Sequence, residues 1–129
     1  MTAHDLTPVQ EIAGMYFKRD DLYTPFGAGE VNGGKLRQCM LLVEAALRRQ
    51  PGMTGVITYC SIHSPQGPIT AATARHFRLP CIVAHGGASD LSIATGDMPR
   101  LAMSYGAAVK VIAKSGRHNV LKQRAEALA

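Results

Sequence analysis

The chain has 129 residues, 47% of them hydrophobic and 18% charged. This length suits one domain able to bury a core, and the composition excludes a disordered chain. No run is long enough to span a bilayer, and residues 1–14 carry no Lys or Arg and no apolar stretch of the kind that opens a secretory signal. The net charge of +5 lies in the second half, where residues 65–129 hold eight basic and three acidic residues. The basic residues stand singly, with few aromatics beside them, so nucleic-acid binding is not expected. Solvated helix faces, an anionic small ligand or a subunit fit the asymmetry. Three cysteines, Cys39, Cys60 and Cys81, form no CxxC and are odd in number. They predict no disulfide framework and fit a reducing cytoplasm. Cys60 and His63 make only two ligands, so no metal site is predicted.

In chain order, the aromatic run Met15–Lys18 predicts a strand. Residues 20–34, rich in Gly, Asp, Asn and Pro, predict a long loop. Leu36, Cys39, Met40, Val43 and Leu47 then repeat at helical spacing, with Arg37, Glu44 and Arg48 off the stripe, until Pro51-Gly52 stops the helix. The β-branched run Val56–Cys60 predicts a buried strand. Residues 61–67 form a polar turn, and Pro68 suits the first turn of a helix reaching about Arg78. Further predicted elements are a strand over 80–84, a helix over 98–105, a strand over 108–113 and a helix over 119–129. Strands alternating with helices at this spacing predict an α/β fold: an open parallel sheet in a three-layer, Rossmann-like unit. Ligands of such sheets sit beyond the carboxyl ends of the strands. Residues 61–67 and 84–90 are therefore the loops to inspect.

The most loaded segment is Asn32-Gly33-Gly34-Lys35-Leu36-Arg37. Residues 29–35 match the GxxxxGK of a phosphate-binding P-loop, but Leu36 stands where a Mg²⁺-binding hydroxyl is needed and no strand directly precedes the loop. Lys35 instead opens a helix, where the dipole disfavours an ammonium. With desolvation added, such an amine is a nucleophile for aldehydes. The glycines before it admit a planar ligand. His63 and His85 follow predicted strands, so either could serve as a base at the ligand edge. Asp20 and Asp21 adjoin Lys18 and Arg19, which predicts salt bridges. Ser61 lacks a Gly-x-Ser-x-Gly elbow, so a hydrolase triad is unsupported.

Phe17-Lys18-Arg19-Asp20-Asp21-Leu22, then Gly33-Gly34-Lys35-Leu36-Arg37, then a Ser64-containing loop that opens a helix, resembles the fold type II pyridoxal-phosphate (PLP) enzymes. Within that tryptophan synthase β-like group, the nearest branch is 1-aminocyclopropane-1-carboxylate deaminase and D-cysteine desulfhydrase. Thr7-Pro8 is similar to the Thr-Pro that opens many members, and the resemblance runs over residues 7–111. It implies that Lys35 forms the Schiff base with PLP and acts as acid/base at the substrate's α-proton. Gly34 stands where the family has Asn, and Ser64-Pro65 stands where it has Ser-Asn. By this resemblance Ser64 helps to hold the substrate carboxylate. Gln66 supplies part of the donor set that Pro65 lacks, toward cofactor and substrate alike. Gly67 offers a helix-start N–H to an anion, and His63 stands beside them as a further substrate-site candidate.

The family's Gly-rich phosphate cup comes later in its chains than these 129 residues reach. The chain also closes on helix interior, residues 123–129, without a Gly or Pro stop. The expectation is a single α/β domain over residues 1–129 that is an incomplete PLP-enzyme unit: the small domain plus the segment that carries the cofactor lysine. The expected function is a lyase or deaminase acting on a small amino acid, in a homo-oligomer in the cytoplasm. The alternative is a catalytically degenerate remnant that serves as a binding or assembly module.

Overall fold

The computed structural model of the chain describes residues 1–112 and 118–128. The predicted strand over 108–113 and the predicted last helix over 119–129 each end on a residue outside the described ones. The chain forms two compact units, Met1–Pro51 and Gly52–Ala129.

The first unit opens with a hairpin. Strand β1 (Val9–Ile12) pairs antiparallel with β2 (Met15–Lys18), Ile12 opposite Met15 and Val9 opposite Lys18. The two turn residues, Ala13 and Gly14, both have positive φ, 52° and 77°, as a two-residue hairpin loop with right-handed strand twist requires. Met15–Lys18 is thus a strand as predicted, but it belongs to this ribbon and not to the parallel sheet. Ala in the first turn position conceals the hairpin, because that position is ordinarily Asn, Asp or Gly. A 3₁₀ turn at Asp20–Leu22 follows, and after the glycine-rich loop comes helix α1 (Gly34–Arg49). Gly33 caps it at φ 93°, a conformation that favours glycine. The apolar stripe buries Leu36, Met40 and Val43, and Arg48 and Arg49 in the last turn complement the carbonyl end.

The second unit holds the predicted parallel sheet. Strands β3 (Val56–Cys60), β4 (Cys81–His85) and β5 (Ala108–Val111) lie in that order, with Val56 opposite Cys81 and Ile82 opposite Ala108. Helix α2 (Gln66–His76) links β3 to β4 and packs on both. Helices α3 (Asp90–Thr95) and α4 (Asp97–Ser104) link β4 to β5, and α4 packs beside α2. Helix α5 (His118–Glu126) follows β5 and packs against β3.

Register assigns the faces, because side chains alternate along each strand. Ile57, Tyr59 and Ala84 gather with Ile112 and Ala125 of α5 on one face. On the other, a methyl group added to Gly67 of α2 would meet Val83 Cγ1 at 3.1 Å, Cys60 Sγ at 3.6 Å and His85 Cε1 at 3.9 Å. Small side chains let α2 lie this close, and every residue from Gly67 to Ala74 is buried. Helix α3 escapes prediction because it is only six residues long. It is held by a capping box in which Ser89 and Ser92 each accept from the other's backbone N–H. No helix of the described residues is long and apolar enough to cross a membrane.

Candidate functional site

Lys35 is the second residue of α1, exposed, next to Gly34. What surrounds this helix start is a polar cluster centred on the buried Thr7. The Thr7 hydroxyl donates to Asp20 Oδ1 at 2.8 Å. The same oxygen accepts from Lys18 Nζ and, at 3.4 Å, from Arg37. One proton and two lone pairs are all that a hydroxyl has, so Thr7 is fully used. Lys18 also donates to the Thr7 carbonyl at 2.6 Å and stands 3.3 Å from Asp20. Arg37 donates to the Asp5 carbonyl at 2.6 Å and lies 4.5 Å over the ring of buried Tyr23. Arg19 pairs with Asp21 at 2.7 Å. The acids at 20 and 21 are therefore salt-bridged, as predicted. The Thr7 hydroxyl holds the Asp20 carboxyl below the ordinary carboxylate range, and Lys18 adds to the effect. Arg19 does the same for Asp21.

Two consequences fall on Lys35. Asp20 Oδ2 lies 2.9 Å from where a Cβ at Gly34 would stand. A side chain such as Asn would have to turn this carboxylate aside. The same carboxylate sets a negative charge at the α1 N-terminus and offsets the dipole field there. Lys35 is exposed, so the described residues do not supply the desolvation expected from the sequence. Among the described residues its amine has neither an ion pair nor a hydrogen bond, whereas Lys18, Arg19 and Arg37 are all engaged.

In the second unit, His63, Ser64, Gln66 and Gly67 come together where the loop after β3 enters α2, at the carboxyl edge of the sheet. Ser64 Oγ accepts from the Gln66 backbone N–H at 3.2 Å, which leaves its own O–H free to donate. The Gln66 amide nitrogen donates to Thr58 Oγ1 at 2.7 Å and to the Tyr59 carbonyl at 3.3 Å, so the donor expected to compensate for Pro65 is turned into β3. Its carbonyl oxygen has no partner among the described residues. The Gly67 N–H bonds the Cys60 thiol. Both helix-start N–H groups are thus occupied, including the one at Gly67 that the sequence offers to an anion. His63 is exposed on the same turn.

His85, the other histidine that follows a predicted strand, is completely buried. Its Nδ1 lies 3.0 Å from the Cys60 carbonyl, so it donates there, and 3.8 Å from Cys60 Sγ. Its Nε2 has no partner among the described residues. Burial pushes the Cys60 thiol up to about 11, against the lowering effect of the Gly67 N–H. Cys60 is thus an inert, protonated core thiol. Its histidine neighbour is His85 and not His63. Among the described residues no three His, Cys, Asp or Glu side chains form a metal-ligating group.

Each unit offers its own group: the first an unengaged amine on a glycine-flanked helix start, the second a Ser64 hydroxyl whose hydrogen is free to donate among the described residues. The fold has a counterpart of known structure. A crystal structure of a pyridoxal 5'-phosphate-dependent aspartate racemase superposes with a TM-score of 0.52 at 23% identity, over 73% of this chain and 25% of that one. This defines an α/β unit of the kind such an enzyme contains. The O-seryl-dTMP PLP-dependent decarboxylase of Salmonella phage ViI is 27% identical over 119 residues, which are 88% of this chain and 28% of that protein. The chain thus spans less than a third of the length of either relative. No protein-family model matches it.

Proposed function

We propose that this chain carries the cofactor lysine and part of the substrate site of a PLP-dependent enzyme acting on a small amino acid. The observation behind this is Lys35: exposed at a helix start and unengaged among the described residues, in a segment whose other cations are tied down. The similarity to a decarboxylase and a racemase that both use PLP supports the cofactor. The finer reading is a fold type II lyase or deaminase of the 1-aminocyclopropane-1-carboxylate deaminase and D-cysteine desulfhydrase branch, assembled as a homo-oligomer. When bound, PLP supplies an electron sink for charge developing at the substrate Cα.

In this reading Lys35 holds the cofactor's aldehyde carbon and, when released, moves the proton at the substrate Cα. Gly34 keeps the approach to that amine open. Ser64 donates its free O–H to the substrate carboxylate, and the Gln66 carbonyl oxygen accepts from the substrate ammonium or the cofactor edge. Gly67 lets α2 settle on Val83 and so sets the position of that loop. His63 borders the substrate on the same turn. The test is to add PLP, reduce with borohydride and map the modified peptide. A pyridoxyl adduct on Lys35, absent in Lys35→Ala, is expected. A folded protein with no adduct on Lys35 overturns the reading.

A second reading, a degenerate unit used for assembly, is favoured by the β1–β2 hairpin, whose Val9, Met15 and Tyr16 are all more than half exposed. It expects Lys35→Ala to leave function and stability unchanged, and expects self-association in solution.

A further inference from the structure

Strand β5 is an edge of the parallel sheet among the described residues. The Ile112 N–H donates to the His85 carbonyl at 3.0 Å. Backbone groups alternate in direction along a strand, so Ala108, Lys110 and Ile112 address β4. The N–H and C=O groups of Val109 and Val111 then face outward, without a partner among the described residues. Beside this edge runs a groove of about 720 Å³ between β5 and the α3–α4 pair, with Ile93, Met103, Val109 and Val111 on its wall. Of its charged residues two are basic, Arg100 and Lys110, and one is acidic, Asp90. We propose that this edge binds an extended acidic segment of a partner protein as an added β-strand.

The register states what that segment carries. With the segment antiparallel to β5, residues opposite Val109 and Val111 exchange main-chain hydrogen bonds and point into the groove, which selects apolar side chains. The residue between them lies opposite Lys110, which selects Asp or Glu. The pattern is apolar, acidic, apolar. The edge disfavours a second copy of this chain. Antiparallel pairing of two β5 strands through Val109 and Val111 sets Lys110 directly opposite its own copy, in the non-hydrogen-bonded position where side chains approach most closely. The charge that repels a copy attracts an acidic strand.

The probe is a fluorescein-labelled Glu-Val-Glu-Val-Glu-Val-Glu peptide, read by anisotropy against the intact protein. Salt-sensitive binding is expected. N-methylated valines should cost at least about tenfold, about 1.4 kcal/mol, and the Lys-Val counterpart should not bind. In the protein, Val111→Pro removes one outward donor and leaves the β4 ladder intact, so it should weaken binding as N-methylation does. Lys110→Glu, at an exposed position, should reverse the preference between the two peptides. No binding, equal binding of the N-methylated or Lys-Val peptide, or indifference to Lys110→Glu in folded protein overturns the proposal. So does a wild-type dimer that Val111→Pro dissociates, because a second copy would then hold the edge.

Discussion

The two helix starts of this chain solve the same problem in opposite ways. At α1 the backbone cap is a bare glycine, and the polar order comes from distant segments: Thr7, Lys18, Asp20 and Arg37 close on one hydroxyl. The adjacent Lys35 is left out of that network. At α2 the loop consumes its own donors. The Gln66 N–H goes to Ser64, the Gly67 N–H to Cys60, Pro68 has none, and the Gln66 amide is turned into β3. The first start is held from outside and presents an amine. The second is held from within and presents one hydroxyl hydrogen and one amide oxygen. In the proposed function the nucleophile accordingly comes from α1, and α2 supplies groups that only orient a charged ligand.

The sharpest way to break this contrast is Thr7→Val. It removes one donor and one acceptor centre at a buried position and strips partners from Lys18, Asp20 and Arg37 together. The expected loss is roughly 2 kcal/mol, in the range for hydrogen bonds to charged groups. Hydrogen exchange should localise it to residues 1–51 and leave α2 protected. Gly67→Ala is next. The added methyl meets the fully buried Val83 at 3.1 Å, which costs about 1–3 kcal/mol, while the gain in helix propensity is about 1 kcal/mol. A net loss of about 1 kcal/mol in urea unfolding is expected. Gly34→Ala should cost less, within about 0.5 kcal/mol. Its 2.9 Å neighbour is the rotatable end of a half-exposed carboxylate, not a locked core methyl.

Much of this was legible in sequence where a pattern is local. The stripe of Leu36, Met40 and Val43 announces α1, and the β-branched run of Val56–Cys60 announces β3. The α/β alternation follows from such runs. The hairpin was not legible, because Val9–Ile12 reads apolar-polar-polar-apolar with no period of two and Ala13 masks its turn. Of the proposed site residues, Lys35 and Ser64 stand out by motif. The role of Thr7 does not, since its partners lie 11, 13 and 30 residues away. The complete burial of His85 is equally invisible, because it depends on α2 covering the end of β4 through a glycine. Periodicity reports what a residue does along its own element, and these groups act between elements.

The smallest expected effect at neutral pH separates the two regions on the acid side, where Asp20 acts; on the alkaline side Cys60 is joined by Tyr23 of the first unit, whose hydroxyl is also pushed up by burial. Asp20 is held below its ordinary 3.8 by the Thr7 hydroxyl and Lys18. A depressed carboxyl contributes stability that is present above the unfolded value and lost as pH falls through the folded one. The α1 cluster should therefore loosen only below about pH 4. Cys60 runs the other way. Its thiol is raised from 9.0 to about 11 by burial, so the folded state keeps a proton that the unfolded state releases. Stability of the second unit should fall as pH rises from about 9 to about 11. Residue-resolved hydrogen exchange, corrected for its intrinsic pH dependence, should show an acid limb over residues 1–51 that Asp20→Asn reduces, the remainder belonging to Asp21 and Asp5, whose carboxyls are held low as well. It should show an alkaline limb over residues 52–112 that Cys60→Ala removes. An acid limb unchanged in Asp20→Asn would mean that α1 is held by something other than the Thr7 cluster, and the contrast between the two helix starts would fail.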